Sequence, residues 1–291
     1  MSRILDVYLC DNFVGTLTQD DSGDLEFAYD QGYIETTDRG ISLSLPSTQK
    51  LHKGKIVRAF FSGLLPEESV RERLAGYLGV SEKNPFALLE IVGGDCAGAL
   101  ALYPQGQKPS EEIKEVESLD DARLKEILGL IKRRPMLAGD DGYRLSLAGA
   151  QDKLAVGFED SKVQLIKAGA PTTHILKPII ERVKDSAHNE LFCMKLAGYM
   201  GIDVPEATLH FVDDTPYYLV ERYDRIIDKD GSVKRIHQED FCQALGIAPE
   251  IKYEREGGPS ISACQDVIAN HTARPAADQI KLLDIVIFNY L

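Results

Sequence analysis

Basic residues are in short supply: 33 Lys and Arg stand against 46 Asp and Glu, a formal charge of −13 at pH 7 over 291 residues. A surface this acidic repels phosphate backbones, which excludes stand-alone nucleic-acid binding unless a local basic patch or a partner supplies the cations. Cysteines are few and scattered. Cys10, Cys96, Cys193, Cys242 and Cys264 are odd in number and form no C-x-x-C pair, so they read as reduced thiols in cores, with neither a disulfide framework nor a zinc site. Long hydrophobic runs are missing too. The longest apolar stretch, Leu282 to Leu291, is broken by Asp284 and Asn289, far below the roughly 20 residues that span a bilayer. The opening Ile4 to Cys10 is short and carries Asp6, which fails as a secretory h-region. A soluble, cytoplasmic protein with no membrane partner is expected. The six histidines make no H-x-x-x-H pair and no G-x-S-x-G string occurs, which disfavours zinc hydrolysis and a Ser-His-Asp triad. His174 and His210, flanked by apolar strand residues, read as packing groups. No internal repeat is visible.

What is present is an ordinary globular composition, 44% hydrophobic and 27% charged, at a length that suggests about two domains. Strand signals dominate the opening: Arg3 to Cys10, Val14 to Thr18, Asp24 to Tyr29 after the Asp20-Asp21-Ser22-Gly23 turn, and Ile41 to Leu45 before Pro46. Pro66 at N1 predicts a helix to Gly79, Pro85 a second one, and Ala97 to Tyr103 a closing strand. The polar stretch Pro104 to Glu117 reads as a linker, leading to a helix capped by Ser118. Strands are then predicted at Tyr143 to Leu147, Lys153 to Phe158, Val163 to Lys167 and His174 to Lys177. A helix over Ala187 to Met200 follows, then strands at Ala207 to Val212 and Tyr217 to Arg222. Helices at Gln238 to Leu245, Ser262 to Ala269 and Ala276 to Leu291 complete the pattern. The last of these leaves Leu282, Leu283, Val286 and Ile287 on a face with no evident cover.

Antiparallel strands, a small-residue turn, a Lys on a later strand, a helix with a Glu, two strands and then helices follow the order of a protein-kinase small lobe entering its large lobe. In Ser146-Leu147-Ala148-Gly149-Ala150-Gln151-Asp152-Lys153 small side chains would let backbone N–H groups approach phosphate oxygens; an ordinary tight hairpin satisfies the same string. Lys177 ends an apolar strand, where its ammonium would meet phosphate as a point charge, or would merely reach solvent. Glu190, thirteen residues on, can pair with Lys177 from a helix whose Leu191, Leu196 and Ala197 face the sheet, or stand solvated. Glu221-Arg222-Tyr223-Asp224 ends the last strand where a hinge would meet adenine, with a carboxylate placed for ribose; a surface charge cluster is the alternative.

Five strings closely resemble the HipA family: Ile41-Ser42-Leu43-Ser44-Leu45-Pro46, Leu145 to Lys153, Thr172-Thr173-His174-Ile175-Leu176-Lys177, Val220 to Asp224 and Gln238-Glu239-Asp240. The resemblance runs along the whole chain. It implies an α+β fold with a HipA-like, β-rich N-terminal domain at 1–104, a helical linker at 105–142, a kinase-like small lobe at 143–225 and the start of a helical large lobe at 226–291. It also implies a serine/threonine protein kinase toxin that uses ATP and Mg²⁺. The partners implied are a HipB-like helix-turn-helix antitoxin, operator DNA through that antitoxin only, and a translation-related protein substrate such as an aminoacyl-tRNA synthetase. Carried over, Ala148, Gly149, Ala150, Gln151, Asp152 and Lys153 form the phosphate loop and Lys177 binds phosphate with Glu190 as its helix partner. Glu221, Arg222 and Tyr223 form the adenine hinge, and Ser146 matches a regulatory autophosphorylation site. Lys252 to Pro259 also looks like the family's. The family's catalytic loop, of the type N-x-D-x-H-x-K-N, is expected just after Leu291, so no catalytic or metal residue is expected within 1–291; a non-catalytic nucleotide-binding or antitoxin-docking module is the alternative.

Overall fold

The computed structural model describes residues 2–109, 116–139, 142–167 and 170–290. It opens with β1 (Arg3–Leu9), β2 (Asn12–Gln19) and β3 (Leu25–Tyr29), then α1 (Gln31–Thr36), β4 (Leu51–Lys53), α2 (Lys55–Ser62), α3 (Glu68–Leu78), α4 (Pro85–Val92) and β5 (Leu100–Pro104). All pairings in this first sheet are antiparallel, in the order β4-β3-β2-β1-β5. Alternation along β3 buries Leu25, Phe27 and Tyr29 on one face, and α2 lays Val57, Phe60 and Phe61 on that core.

β6 (Val116–Ser118) and α5 (Asp121–Ile131) come next, followed by β7 (Leu154–Glu159), β8 (Lys162–Ile166) and β9 (His174–Pro178). After them run α6 (Ser186–Tyr199), β10 (Ala207–Val212), β11 (Thr215–Glu221) and the small hairpin β12 (Arg225–Ile227) and β13 (Val233–Arg235). The second sheet is six-stranded, ordered β10-β11-β9-β7-β8-β6. α7 (Phe241–Leu245), α8 (Ile261–His271) and α9 (Pro275–Phe288) end the described chain. One cluster of buried apolar side chains runs without a break from Leu5 through Leu128, Leu145 and Leu165 to Leu219. The first sheet, α5 and the second sheet therefore share a core.

Several expectations are corrected. Ile41 to Leu45 is a tight loop closed by a single Ser42–Leu45 bridge: Ile41 and Leu45 are buried while Leu43, which a strand would place on their face, is exposed. Tyr143 to Leu147 is likewise no strand, because its backbone is taken by bonds to Asp95. Pro66 precedes α3, whose N-cap is Glu67, and α5 is capped by Asp120 instead of Ser118. The expected linker supplies an edge strand, since β6 pairs with β8; its residues 110–115 lie outside the described chain, as does Leu291. The helix expected from Gln238 is only α7, because the Asp240 carboxylate caps it through a capping box with Gln243. α1 and α2 had no counterpart in the sequence reading. Leu196 is exposed and does not face the sheet. Cys10 and Cys193 are exposed thiols, unlike the buried Cys96 and Cys242. On α9, Leu283 and Ile287 stand exposed while Leu282 and Val286 are partly covered. Among the described residues no helix is long and apolar enough to cross a membrane.

Candidate functional site

A cleft of about 350 Å³ opens between the two sheets, lined by Gly63 and Ala97 from the N-terminal unit, Leu147, Ala148 and Lys153 from the loop, Ile175 and Lys177 from β9, and residues between Arg222 and Gln243. At one end stand the cations. Register with β11 sets Lys177 opposite Tyr218, so its ammonium lies 5.4 Å from the Tyr218 ring centre and forms an ion pair with Glu190 of α6. Lys153 reaches back over its own loop and donates to the Ala148 carbonyl at 3.1 Å. Burial, and then the neighbouring Lys177 charge, lower the Lys153 pKa to about 8. Gly149 has a φ of +111°, a conformation that strains any residue with a Cβ, and it lies against the Lys153 nitrogen.

The loop is held from the N-terminal unit at four points. The Ser146 hydroxyl, fully buried, donates to Leu64 O at 2.6 Å, and its N–H donates to Asp95 O at 3.1 Å. Glu67 N–H donates to Gly149 O at 3.2 Å, and Arg73 pairs with Asp152 at 2.7 Å. Ala150, Gln151 and Asp152 turn to the outer face of the loop, where they line a separate depression with Arg73 and Lys132. Glu67 also pairs with Lys252, which ties the Lys252 to Pro259 segment to the same end of the cleft.

The hinge end is built otherwise. Arg222 turns its side chain away from the cleft opening into a buried polar cluster. Its guanidinium donates to both Asp224 oxygens at 2.9 Å and to Asp95 at 3.2 Å. Asp95 also accepts from Arg225 at 2.8 Å, Arg235 at 3.3 Å and the Thr172 hydroxyl at 2.9 Å. Burial pushes the Asp95 carboxyl up, but the three guanidiniums outweigh it and hold it below the usual carboxylate range. Asp224, read as a ribose carboxylate, is fully engaged here, since Gly98 N–H also donates to it at 2.7 Å. The Arg222 N–H goes to Thr173 O and the Glu221 N–H to Glu206 O. The exposed Tyr223 sits at the rim, and it lines the cleft together with Gln238. Sequence reasoning missed Asp95, Glu67 and Arg73, which carry no local signal. His174 and His210 do pack, against Phe158 and Tyr217.

An antiparallel small lobe with a strand Lys paired to a helix Glu, facing a glycine loop across a cleft, defines a kinase-like α+β protein. Family models narrow this: the HipA N-terminal domain matches residues 5–103 and the HipA-like C-terminal domain residues 145–291. The chain belongs to the HipA family. It is 46% identical to Y4mE of Sinorhizobium fredii, named as a candidate kinase, over 99% of this chain and 70% of that protein. To the serine/threonine-protein kinase toxin HipA of Shewanella oneidensis it is 33% identical over 69% of this chain and 46% of that one. A solved complex of Shewanella oneidensis HipA, HipB and operator DNA superposes with a TM-score of 0.81 at 27% identity, over 98% of this chain and 68% of the solved chain.

Proposed function

We propose that this chain is the nucleotide-binding part of a HipA-type serine/threonine protein kinase toxin, with ATP held in the cleft. The observation that carries the reading is the convergence of Lys153, Lys177 and Ala148, the residue before Gly149 in the turn, in a cavity of nucleotide size. The residues present fit a polyphosphate: two ammonium groups, one paired with Glu190 and the other donating to a backbone carbonyl, beside a loop whose glycine holds a positive φ. Tyr223 and Gln238 lie at the opposite end, where a base and ribose would be placed. Among the described residues no three His, Cys, Asp or Glu side chains are grouped to hold a metal ion, so Mg²⁺ would come with the nucleotide's phosphates. Lys153, Lys177 and the loop would bind and orient the triphosphate.

The solved HipA–HipB–DNA complex supports a HipB-like antitoxin as partner, with operator DNA reached through it. That arrangement would supply the cations a chain of charge −13 lacks. A translation-related substrate is the companion proposal. Calorimetric titration of MgATP into the chain tests the central reading. Saturable binding that Lys177→Ala weakens is expected; absence of binding, or equal binding by the variant, would remove the nucleotide from this cleft.

A further inference from the structure

Two of the family-like strings have no part in holding phosphate, yet the fold brings them together. Ile41 to Leu45 belongs to the N-terminal unit, and Gln238-Glu239-Asp240 lines the cleft opposite β9. This cleft wall, Gln238 to Gln243, is irregular chain as far as Asp240 and then the start of the five-residue α7, so sheet pairing does not place it. Contacts with the N-terminal unit do. Glu239 accepts from the Ser42 hydroxyl on one carboxylate oxygen and from Leu43 N–H, at 3.0 Å, on the other. Ser44 Oγ donates to Gln243 O at 2.7 Å, Gln243 Nε2 donates to Phe60 O at 3.1 Å, and a His237 ring nitrogen meets Ile41 O at 2.8 Å.

The loop that makes these bonds is itself rigid. Ile41 and Leu45 are fully buried, and the buried Tyr29 hydroxyl closes it, donating to Leu45 O while accepting from Ile41 N–H at 2.7 Å. One wall of the cleft thus rides on the N-terminal unit and the other on the second sheet.

We propose that the Ile41–Leu45 loop is a positioning element for nucleotide binding, with Ser42 and Glu239 as positioning residues that hold the Gln238–Gln243 wall at the separation a nucleotide requires. The proposal rests on the nucleotide reading above. Charge-assisted bonds of this kind set geometry as well as energy, and their loss lets the wall move before it can contact ligand.

The test is a double-variant cycle in MgATP affinity, read by calorimetry, with thermal unfolding followed in parallel. Ser42→Ala and Glu239→Gln should each raise Kd about fivefold to tenfold, and the double variant should be no weaker than the weaker single. A bond that only supports the fold would lower the melting temperature and leave Kd alone; that result, or losses that multiply, overturns the proposal. Should Glu239→Gln not fold, Ser42→Ala together with Ser44→Ala carries the test: unchanged Kd in both refutes it. Lys177→Ala run alongside separates the two readings. If Lys177→Ala weakens binding while the Ser42 and Glu239 variants do not, only the positioning role falls; if wild type binds no MgATP, the nucleotide reading falls first.

Discussion

The two ends of the cleft handle charge in opposite ways. At the hinge end Asp95, Asp224, Arg222 and Arg225 are nearly inaccessible to water and bonded to one another, with Arg235 linking outward to the exposed Asp11. At the loop end Lys153 and Lys177 lie close together; Lys177 is paired with Glu190, while Lys153 donates to a carbonyl oxygen and feels Glu67 and Asp152 without bonding to them. Charges paired this densely fix a frame, because all but Arg225 Nε are already bonded to their partners and gain little from a ligand. Under-compensated charges are the ones a ligand can stabilise. The same residue types therefore form a closed frame at one end and stay open to a ligand at the other, and the difference lies in the pairing.

Breaking the saturated end should have the largest effect. Asp95→Ala would take the shared carboxylate from three guanidiniums and leave Asp224 and Asp11 as their remaining partners, at an expected loss of ~3–5 kcal/mol of folding stability, measurable as a large drop in urea midpoint at unchanged m-value. A stability within error of wild type would mean the cluster is merely tolerated. Next comes Ser146, buried beneath the loop: phosphorylation would add roughly −1.5 to −2 charges where no space exists, so the loop must leave its seat on Leu64. MgATP affinity of the phosphorylated protein should fall more than tenfold, and limited proteolysis should cut within residues 146–153. Lys177→Ala should weaken MgATP by about tenfold or more, ~1.5–3 kcal/mol, while scarcely moving the melting temperature; the reverse pattern would class it with the hinge charges.

The smallest effect sharpens the comparison through pH. Lys153 loses its proton near pH 8, against 10.5 ordinarily. MgATP affinity should therefore decline as pH rises through about 8, and a Lys153→Arg variant should lose that slope. For folding the sign is opposite. Between about 8 and 10.5 the unfolded chain binds the proton that the folded chain has released, so the Lys153 contribution makes stability rise with pH across that window. A flat binding profile across the same window would show that Lys153 does not meet the phosphates.

Much of the second sheet was legible. Alternation placed β10 at Ala207–Val212 to the residue, and an apolar strand ending in Lys177 followed by a helix with Glu190 predicted a pair that the fold does form. What failed were short polar-apolar alternations. Ile41 to Leu45 and Tyr143 to Leu147 carry a strand's periodicity, yet their backbone groups are claimed by Tyr29 and Asp95 from elsewhere in the chain. The hinge cluster was illegible for the same reason. Asp95 meets Arg222 across 127 residues and Arg225 across 130, and nothing near Gly93-Gly94-Asp95 announces three distant arginines. Asp224 seemed free for a ribose because its partners, Gly98 among them, are invisible until the chain is folded.

The unbroken core from Leu5 to Leu219 bears on how the molecule comes apart. Two units that buried separate cores could melt in sequence, each with its own transition. Here the first sheet, α5 and the second sheet would lose their packing together, so a single calorimetric peak and a shared set of slowest-exchanging amides, drawn from β1, β2, β7 and β9 alike, are what such a core dictates. A ligand in the cleft would then protect amides in β1 as much as those in β9, and a loosening of the N-terminal sheet would reach the cleft as a loss of cooperativity before any bond there had broken.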